Sequence, residues 1–316
     1  MKTNLRIVFM GTPDFAVASL QNILHHGYHV VGVVTAPDKP AGRGRKLQAS
    51  AVKQFALKNK LTILQPTNLK DPDFINALEA LNANVQIVVA FRMLPKVVWQ
   101  MPQLGTFNLH ASLLPNYRGA APINWAIING ETETGVSTFF IDEKIDTGAV
   151  ILQKAVKISD SATAGSLHDA LMETGSALVI DTLQLIETNQ VSTVAQPKDA
   201  QLKDAPKLNK ANCAINWQAA ATTIYNHVRG LNPYPAAWTT LVNGSESLEV
   251  KIYDVHPILE AHNHAIGHIQ VNKKALMVAV ADGYIAINEM KLPGKRKMAI
   301  RDLLNGYEFL PDAKML

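Results

Sequence analysis

Short apolar runs alternate with helical patterns along the first 190 residues, and this alternation constrains the fold more than any other feature. Leu5–Met10, His29–Thr35 and Val85–Phe91 are strand-length runs that are apolar almost throughout. Between them, Ser50–Asn59 and Pro72–Leu81 carry apolar residues at helical spacing. We predict further strands over 61–64 and 136–141, a helix over 122–128 and a long helix over about 161–187. Apolar strands that alternate with helices are typical of a buried parallel sheet in a doubly wound α/β fold.

The character of the sequence changes after residue 189. Residues 190–208 are polar and broken by prolines, as in Gln196-Pro197-Lys198-Asp199, a composition typical of linkers. Beyond them, the helical stretch Gln218–Arg229 precedes short strands that are separated by turns such as Asn243-Gly244. We predict an α/β domain over 1–189, a linker over 190–208 and a small β-barrel or sandwich over 209–316.

Charge and cysteine content narrow the classes of protein. The 316 residues carry 30 basic and 26 acidic side chains, a net charge of +4, and most of the excess lies beyond residue 190. A polyanion partner and a purely solvated surface both explain this bias. The single cysteine, Cys213, excludes an intrachain disulfide and suits a reducing compartment. No apolar run approaches the roughly 18 residues of a membrane span, so we predict a cytoplasmic protein with no membrane partner.

The residues from 107 to 122 are the richest in groups able to do chemistry. Asn108 and His110 stand two apart on a predicted strand, so their side chains project from the same face. Asn108 can donate a hydrogen bond to a developing oxyanion, and His110 can donate or carry a proton near neutral pH. Asp146, in a turn before Gly148, is a candidate partner for His110. Ordinary structural use of these residues is the alternative, because such triplets occur widely.

A basic loop follows the second predicted strand. Residues 36–46 carry Arg43, Arg45 and Lys46 beside two glycines, at the end of the sheet where α/β proteins bind ligands. The loop is a candidate lid that contacts phosphates. A solvent loop without function is the alternative interpretation.

These motifs resemble those of the formyltetrahydrofolate-dependent formyltransferases. The resemblance is carried by Asn108-x-His110-x-Ser112-Leu113-Leu114-Pro115, Arg118-Gly119-Ala120-Ala121-Pro122-Ile123 and Asp146-Thr147-Gly148. Three further segments resemble those of the family members that formylate the methionine on initiator tRNA. They are Phe9-Met10-Gly11-Thr12-Pro13, Pro37-Asp38-x-Pro40-Ala41-Gly42-Arg43-Gly44 and Arg229-Gly230-Leu231-Asn232-Pro233-x-Pro235.

The resemblance implies a Rossmann-like formyltransferase domain joined to an OB-like β-barrel that helps to bind initiator methionyl-tRNA. It implies that 10-formyltetrahydrofolate is the formyl donor, that no metal takes part and that no stable protein partner is needed. The folate would lie against Ser112, Leu113, Leu114 and Pro115. Asn108, His110 and Asp146 would be the catalytic set, and the Arg43 loop would insert at the acceptor end of the tRNA.

The basic cluster near residue 296 and the function as a whole each have more than one interpretation. Lys295, Arg296 and Lys297 are candidates for nonspecific contact with tRNA, although a solvated face explains them equally well. Phe91-Arg92 stands where the family commonly has an aromatic residue followed by glycine. A formyltransferase with a small amine substrate is one competing function, and an RNA-binding module without catalysis is another.

Overall fold

The computed structural model of the chain describes residues 3–41, 46–197, 201–272 and 274–316. These residues form two compact units. The first, the sheet unit, comprises Met1–Gly119, Glu133–Lys157 and His168–Asp204. The second, the barrel unit, comprises Ala120–Thr132, Ile158–Leu167 and Ala205–Leu316.

The strands and helices are numbered in chain order. The strands are β1 (Arg6–Gly11), β2 (His29–Val34), β3 (Lys39–Ala41), β4 (Lys46–Gln48), β5 (Ile63–Leu64), β6 (Val85–Val89), β7 (Thr106–His110), β8 (Arg118–Gly119), β9 (Glu133–Phe140), β10 (Val150–Lys157), β11 (Asp204–Ala205), β12 (Ala237–Asn243), β13 (Glu246–Ile258), β14 (Ile269–Val271), β15 (Leu276–Val280), β16 (Gly283–Lys291), β17 (Met298–Ala299) and β18 (Lys314–Met315). The helices are α1 (Asp14–His25), α2 (Ala51–Lys58), α3 (Pro72–Ala80), α4 (Lys96–Trp99), α5 (Pro122–Ile128), α6 (Ala164–Glu187), α7 (Ala221–Leu231) and α8 (Ile300–Leu304).

A largely parallel sheet forms the centre of the sheet unit. In the described part of the chain its strand order is β10-β9-β7-β6-β1-β2-β5. The five strands from β7 to β5 are parallel, which confirms the predicted Rossmann-like α/β fold. The prediction that the strand near 136–141 belongs to the parallel set is wrong, because β9 runs antiparallel to β7 and β10 antiparallel to β9. Apolar periodicity reports burial and carries no information on strand direction.

Local sequence signals explain where the helices of this unit begin. The Oγ of Ser50 accepts a hydrogen bond of 3.0 Å from the amide of Lys53 and so caps α2. At α3, the carboxylate of Asp71 accepts a hydrogen bond from the amide of Asp73, and Pro72 occupies the first turn. Both helices therefore start within one residue of their predicted positions.

Part of the segment predicted as a linker runs along the sheet unit. Val194 and Val150 exchange two backbone hydrogen bonds of 2.8 Å, next to the sheet edge at β10. Further on, the carbonyl of Lys203 accepts a hydrogen bond from the amide of Tyr117 at 2.5 Å. Lys198, Asp199 and Ala200 lie outside the described residues. The polar stretch is thus hydrogen-bonded through Val194 and Lys203 to other segments of the sheet unit.

The barrel unit is built from antiparallel strands in the order β14-β15-β16-β13-β12-β18. Alternating burial along β12 places one face of the strand in the core. The sheet closes on itself where His268 pairs with Lys314, and where the carbonyl of Gly267 accepts a hydrogen bond of 2.8 Å from the amide of Met315. The nearly closed barrel confirms the predicted OB-like β-barrel and decides against a sandwich. Cys213 is buried in its core.

Helices α5, α7 and α8 also belong to the barrel unit. α5 and α7 lie close together, and Nδ2 of Asn124 donates a hydrogen bond of 2.8 Å to the carbonyl of Gly230. Among the described helices of the whole chain, none is both long enough and apolar enough to cross a membrane.

Candidate active site

The site lies where the strand order of the sheet unit reverses. β1 is flanked by β2 on one side and by β6 on the other, so the carboxyl ends of these parallel strands open a crevice between them. β7 lies next to β6 and ends at His110. Asn108 and His110 therefore project from one face of β7 close to this crevice, as their spacing predicts.

The imidazole of His110 is hydrogen-bonded through one nitrogen and faces a carboxylate with the other. The ring is buried, with 7% of the residue exposed, and Nε2 donates a hydrogen bond of 2.8 Å to the carbonyl of Tyr117. Nδ1 faces Oδ2 of Asp146 at 3.7 Å. Because the Tyr117 carbonyl can only accept, it holds the proton on Nε2 in the neutral ring. Nδ1 is then the nitrogen that takes up and releases a proton, beside a carboxylate.

Asp146 lies in a tight turn that fixes its carboxylate. Its backbone has a φ of +55°, a conformation that is uncommon for residues other than glycine. Oδ2 accepts a hydrogen bond of 2.9 Å from the amide of Gly119. The neighbouring Thr147 donates through Oγ1 to Oδ1 of Asp142 at 2.7 Å, which closes the turn from inside. The structure therefore brings Asp146 to His110, as the sequence predicts.

Asn108 differs from these two residues because its amide is free. Its side chain is half-buried, and within the described residues it makes no hydrogen bond. Its backbone is paired with Val88 on one side and Phe139 on the other, so the residue cannot swing away from the sheet. A fixed amide with unused donors at the end of a strand is suited to bind an oxygen that gains negative charge.

The predicted folate-binding residues, Ser112 to Pro115, form a loop held by the buried side chain of Ser137 and by the exposed residue Gln153. Ser137 Oγ on β9 donates to the carbonyl of Ser112 at 2.6 Å and accepts from the amide of Leu114 at 3.1 Å. Gln153 on β10 donates through Nε2 to the carbonyl of Leu114 at 2.9 Å and to Ser137 Oγ at 2.8 Å. Ser112 Oγ itself donates to the carbonyl of Asn116 at 2.7 Å.

Ser137 and Gln153 are not predicted from the sequence. They lie on strands 22 or more residues beyond the loop that they hold. The one signal for Ser137 is a hydroxyl inside a strand that is mostly buried, since buried polar groups need hydrogen-bond partners.

The basic loop after β2 can be described only at its base. Arg43 and Arg45 lie outside the described residues, and of Lys46 only the backbone is described, in β4, which pairs antiparallel with β3. Before the loop, Asp38 accepts hydrogen bonds from Lys53 Nζ at 2.6 Å and from Gln65 Nε2 at 2.9 Å. These hydrogen bonds hold the pKa of Asp38 below its usual value, and the one from Lys53 has the larger effect.

Arg92 follows β6 and is also held by main-chain groups. Its guanidinium donates to the carbonyl of Thr67 at 2.8 Å and to the carbonyl of Pro66. The departure from the family pattern at Phe91-Arg92 thus ties the end of β6 to the segment after β5.

The second predicted basic cluster lies in the barrel unit. Lys295, Arg296 and Lys297 are exposed in the turn between β16 and β17. Lys297 Nζ pairs with Oε2 of Glu289 at 2.5 Å, which offsets its charge locally.

Groups of His, Cys, Asp and Glu side chains are able to hold metal ions. In the part of the chain that the structure describes, no three His, Cys, Asp or Glu side chains are grouped so that they could hold a metal ion.

Comparisons with known proteins give the family. The formyl transferase domain family matches residues 5–183, and the formyl transferase C-terminal domain family matches residues 207–308. A methionyl-tRNA formyltransferase of Flavobacterium johnsoniae is 58% identical over 311 residues, covering 98% of this chain and 99% of that protein. One from Flavobacterium psychrophilum is 56% identical over 306 residues, covering 96% and 97%.

A likeness of fold extends to more distant solved structures. The sugar 3N-formyl transferase WlaRD, determined in the presence of dTDP and 5-N-formyl-THF, aligns with a TM-score of 0.64 at 24% identity, covering 93% of this chain and all of that one. Both halves of the chain and nearly its whole length match proteins of one kind, and the chain therefore belongs to the methionyl-tRNA formyltransferase family of formyl transferases.

Proposed function

We propose that this chain transfers the formyl group of 10-formyltetrahydrofolate to the α-amino group of methionyl-initiator-tRNA, giving N-formylmethionyl-tRNA for translation initiation. The observation that carries the chemistry is the side-chain amide of Asn108, which has no hydrogen-bond partner among the described residues, beside the His110–Asp146 pair. The relatives reported above support the choice of acceptor. Charged tRNA and formylfolates are substrates of the cytoplasm, where we place the reaction.

The loop over Ser112–Pro115 is proposed to hold the folate. A loop whose carbonyl and amide groups are already satisfied by Ser137 and Gln153 presents a fixed surface to a ligand. Leu113 and Pro115 supply apolar contact, and the loop leads directly from His110 at the end of β7. The donor brings an activated formyl carbon, and the chain has to orient it and stabilise the charge that develops.

Asn108 is proposed to donate a hydrogen bond to the oxyanion, and His110 is proposed to stabilise its negative charge once Nδ1 carries the proton taken from the amine. An α-amine has a pKa of about 7.7–8.0 in reference compounds, so a neutral fraction able to attack exists at neutral pH. As the bond between the amine nitrogen and the formyl carbon forms, negative charge develops on the formyl oxygen. Each preorganised donor aimed at such an oxygen lowers the barrier by about 3 kcal/mol.

His110 is proposed to move the proton as well. Its Nδ1 takes the proton that the amine loses and delivers it to the leaving nitrogen of the folate when the carbon–nitrogen bond to the donor breaks. Throughout, Nε2 stays hydrogen-bonded to the Tyr117 carbonyl, which prevents the other tautomer. Asp146, with Oδ2 at 3.7 Å from Nδ1, stabilises the imidazolium that forms transiently.

Binding of the tRNA is proposed to be divided along the chain. Residues 1–189 carry out the chemistry, residues 190–208 form the connection and residues 209–316 add contact with the tRNA. Arg43, Arg45 and Lys46 would meet the acceptor end near the crevice. Lys295, Arg296 and Lys297 would supply nonspecific contact with phosphates. Arg and Lys contacts of this kind make affinity depend on salt concentration.

The test is formyl transfer by the full chain to methionyl-initiator-tRNA, with methionyl-elongator-tRNA and an amino sugar nucleotide as alternative acceptors. We expect transfer that requires 10-formyltetrahydrofolate and favours the initiator tRNA. Transfer to the amino sugar nucleotide instead would assign a small-amine substrate. Binding of tRNA without any transfer would assign an RNA-binding module.

A further inference from the structure

Gln196 connects three segments around the proposed catalytic carboxylate. Its Oε1 accepts hydrogen bonds from Arg118 Nε at 3.1 Å and Nη2 at 2.6 Å. Its Nε2 donates to the carbonyl of Asp146 at 3.0 Å and to the carbonyl of Gly148 at 2.8 Å. All four residues belong to the sheet unit.

These contacts use the full hydrogen-bonding capacity of a glutamine side chain. Arg118 can only donate and the two carbonyls can only accept, so the amide of Gln196 has one possible orientation. A glutamate at this position would direct oxygen lone pairs at the two carbonyls. A leucine would leave the guanidinium and both carbonyls without these partners.

The carbonyls that Gln196 binds belong to the turn that aims the Asp146 carboxylate. The left-handed backbone of Asp146, with φ of +55°, turns its carbonyl toward Gln196 and leaves Oδ2 on the amide of Gly119. Gly119 is the residue after Arg118. The segment 118–119 and the turn 146–148 are thus joined twice, once directly through Gly119 and once through Gln196.

We propose that Gln196 is a positioning residue for Asp146, oriented in turn by Arg118. Its role is to hold the turn so that the carboxylate stays beside Nδ1 of His110. The proposal rests on the catalytic role proposed for Asp146. Composition alone indicates that the polar segment after α6 is a linker. Through Gln196, this segment takes part in the reaction.

The test compares Gln196→Leu and Gln196→Glu with Gln190→Leu, a matched change at an exposed residue beyond the end of α6 and outside this network. For each variant, kcat, the KM for the formyl donor, affinity for methionyl-tRNA and the pH profile of kcat are measured, with a thermal melt to verify folding. Gln196→Leu is also made in the Asp146→Ala background, so that coupling between the two residues is measured.

We expect Gln196→Leu and Gln196→Glu to lower kcat by roughly ten- to a hundredfold, because small displacements of catalytic groups cost rates of this order. The KM and the tRNA affinity should stay near those of Gln190→Leu, and the pH profile of kcat should change. In the Asp146→Ala background, Gln196→Leu should have little further effect.

Two results would overturn the proposal alone. One is a kcat and pH profile for Gln196→Leu that match Gln190→Leu, and the other is an equal loss of kcat with and without Asp146. Normal activity of Asp146→Ala would instead refute the proposed catalytic set, and the role of Gln196 with it.

Discussion

Ser137 gives the sharpest test of how the folate-binding loop is held. Ser137→Ala removes one hydroxyl that is fully buried and makes three hydrogen bonds, to Ser112, Leu114 and Gln153. The Leu114 carbonyl keeps its hydrogen bond from Gln153. The Ser112 carbonyl and the Leu114 amide lose their hydrogen bonds to the Ser137 hydroxyl. At about 1–3 kcal/mol for each unsatisfied buried group, and allowing for partial relaxation, we expect a loss of about 2–4 kcal/mol.

Ser19→Ala is the matched control. Ser19 is also buried, with 1% exposed, and its Oγ has no hydrogen-bond partner among the described residues. Removing that hydroxyl relieves a desolvation cost, so we expect a stability that is unchanged or raised by up to about 1 kcal/mol. The same chemical change is thus predicted to have different consequences at two buried positions.

The assay is urea unfolding of both variants together with hydrogen exchange at the Leu114 amide and the KM for the formyl donor. Ser137→Ala should shift the unfolding midpoint to lower urea without a change of slope, speed exchange at Leu114 and raise the KM. Equal midpoints for the two variants, or unchanged exchange at Leu114, would refute the argument that Ser137 pins the loop.

Four further substitutions test the Asp146 turn, the basic turn of the barrel unit and His227. Gly148→Ala would place a Cβ 1.7 Å from the carbonyl oxygen of Phe140, so the Asp146 turn must move; we expect a loss of about 1–3 kcal/mol in urea unfolding and a lower kcat. Lys295→Ala should reduce the slope of log affinity for tRNA against log salt by up to about one, and Lys297→Ala by less, because Glu289 already pairs with Lys297. Burial lowers the pKa of His227, whereas the unfolded chain binds that proton near pH 6.5. Stability should therefore fall as the pH drops below about 6.5, and His227→Gln should flatten that dependence in pH-resolved melts.

Local sequence patterns predict much of the fold, and the predictions that are wrong or missing have physical causes. The helix predicted over 122–128 has those bounds in the structure, since Pro122 marks its first turn. β10 is not predicted, because its apolar run is only Val150–Leu152 and most of the residues after it are exposed. The antiparallel direction of β9 depends on its neighbours in the sheet, which periodicity does not report.

Some features of the candidate site can also be predicted from the sequence, and others cannot. The spacing of Asn108 and His110 predicts their common face, because strand geometry is local. The tautomer of His110 depends on the Tyr117 carbonyl, and the position of Tyr117 depends on a backbone φ of +60° that composition does not reveal. Gln196 meets Asp146 across 50 residues, and nothing in a polar, proline-broken stretch predicts that contact.

Asn108 and His110 are the residues proposed to stabilise the transition state of formyl transfer to methionyl-initiator-tRNA. The most direct measurement is single-turnover transfer by the wild type, Asn108→Ala and His110→Ala, with saturating 10-formyltetrahydrofolate and with tRNA binding measured in parallel. We predict that Asn108→Ala loses about 10²–10³ in rate, that the loss for His110→Ala is also severe, and that tRNA affinity is nearly intact in both. Near-normal transfer by either variant would contradict the account.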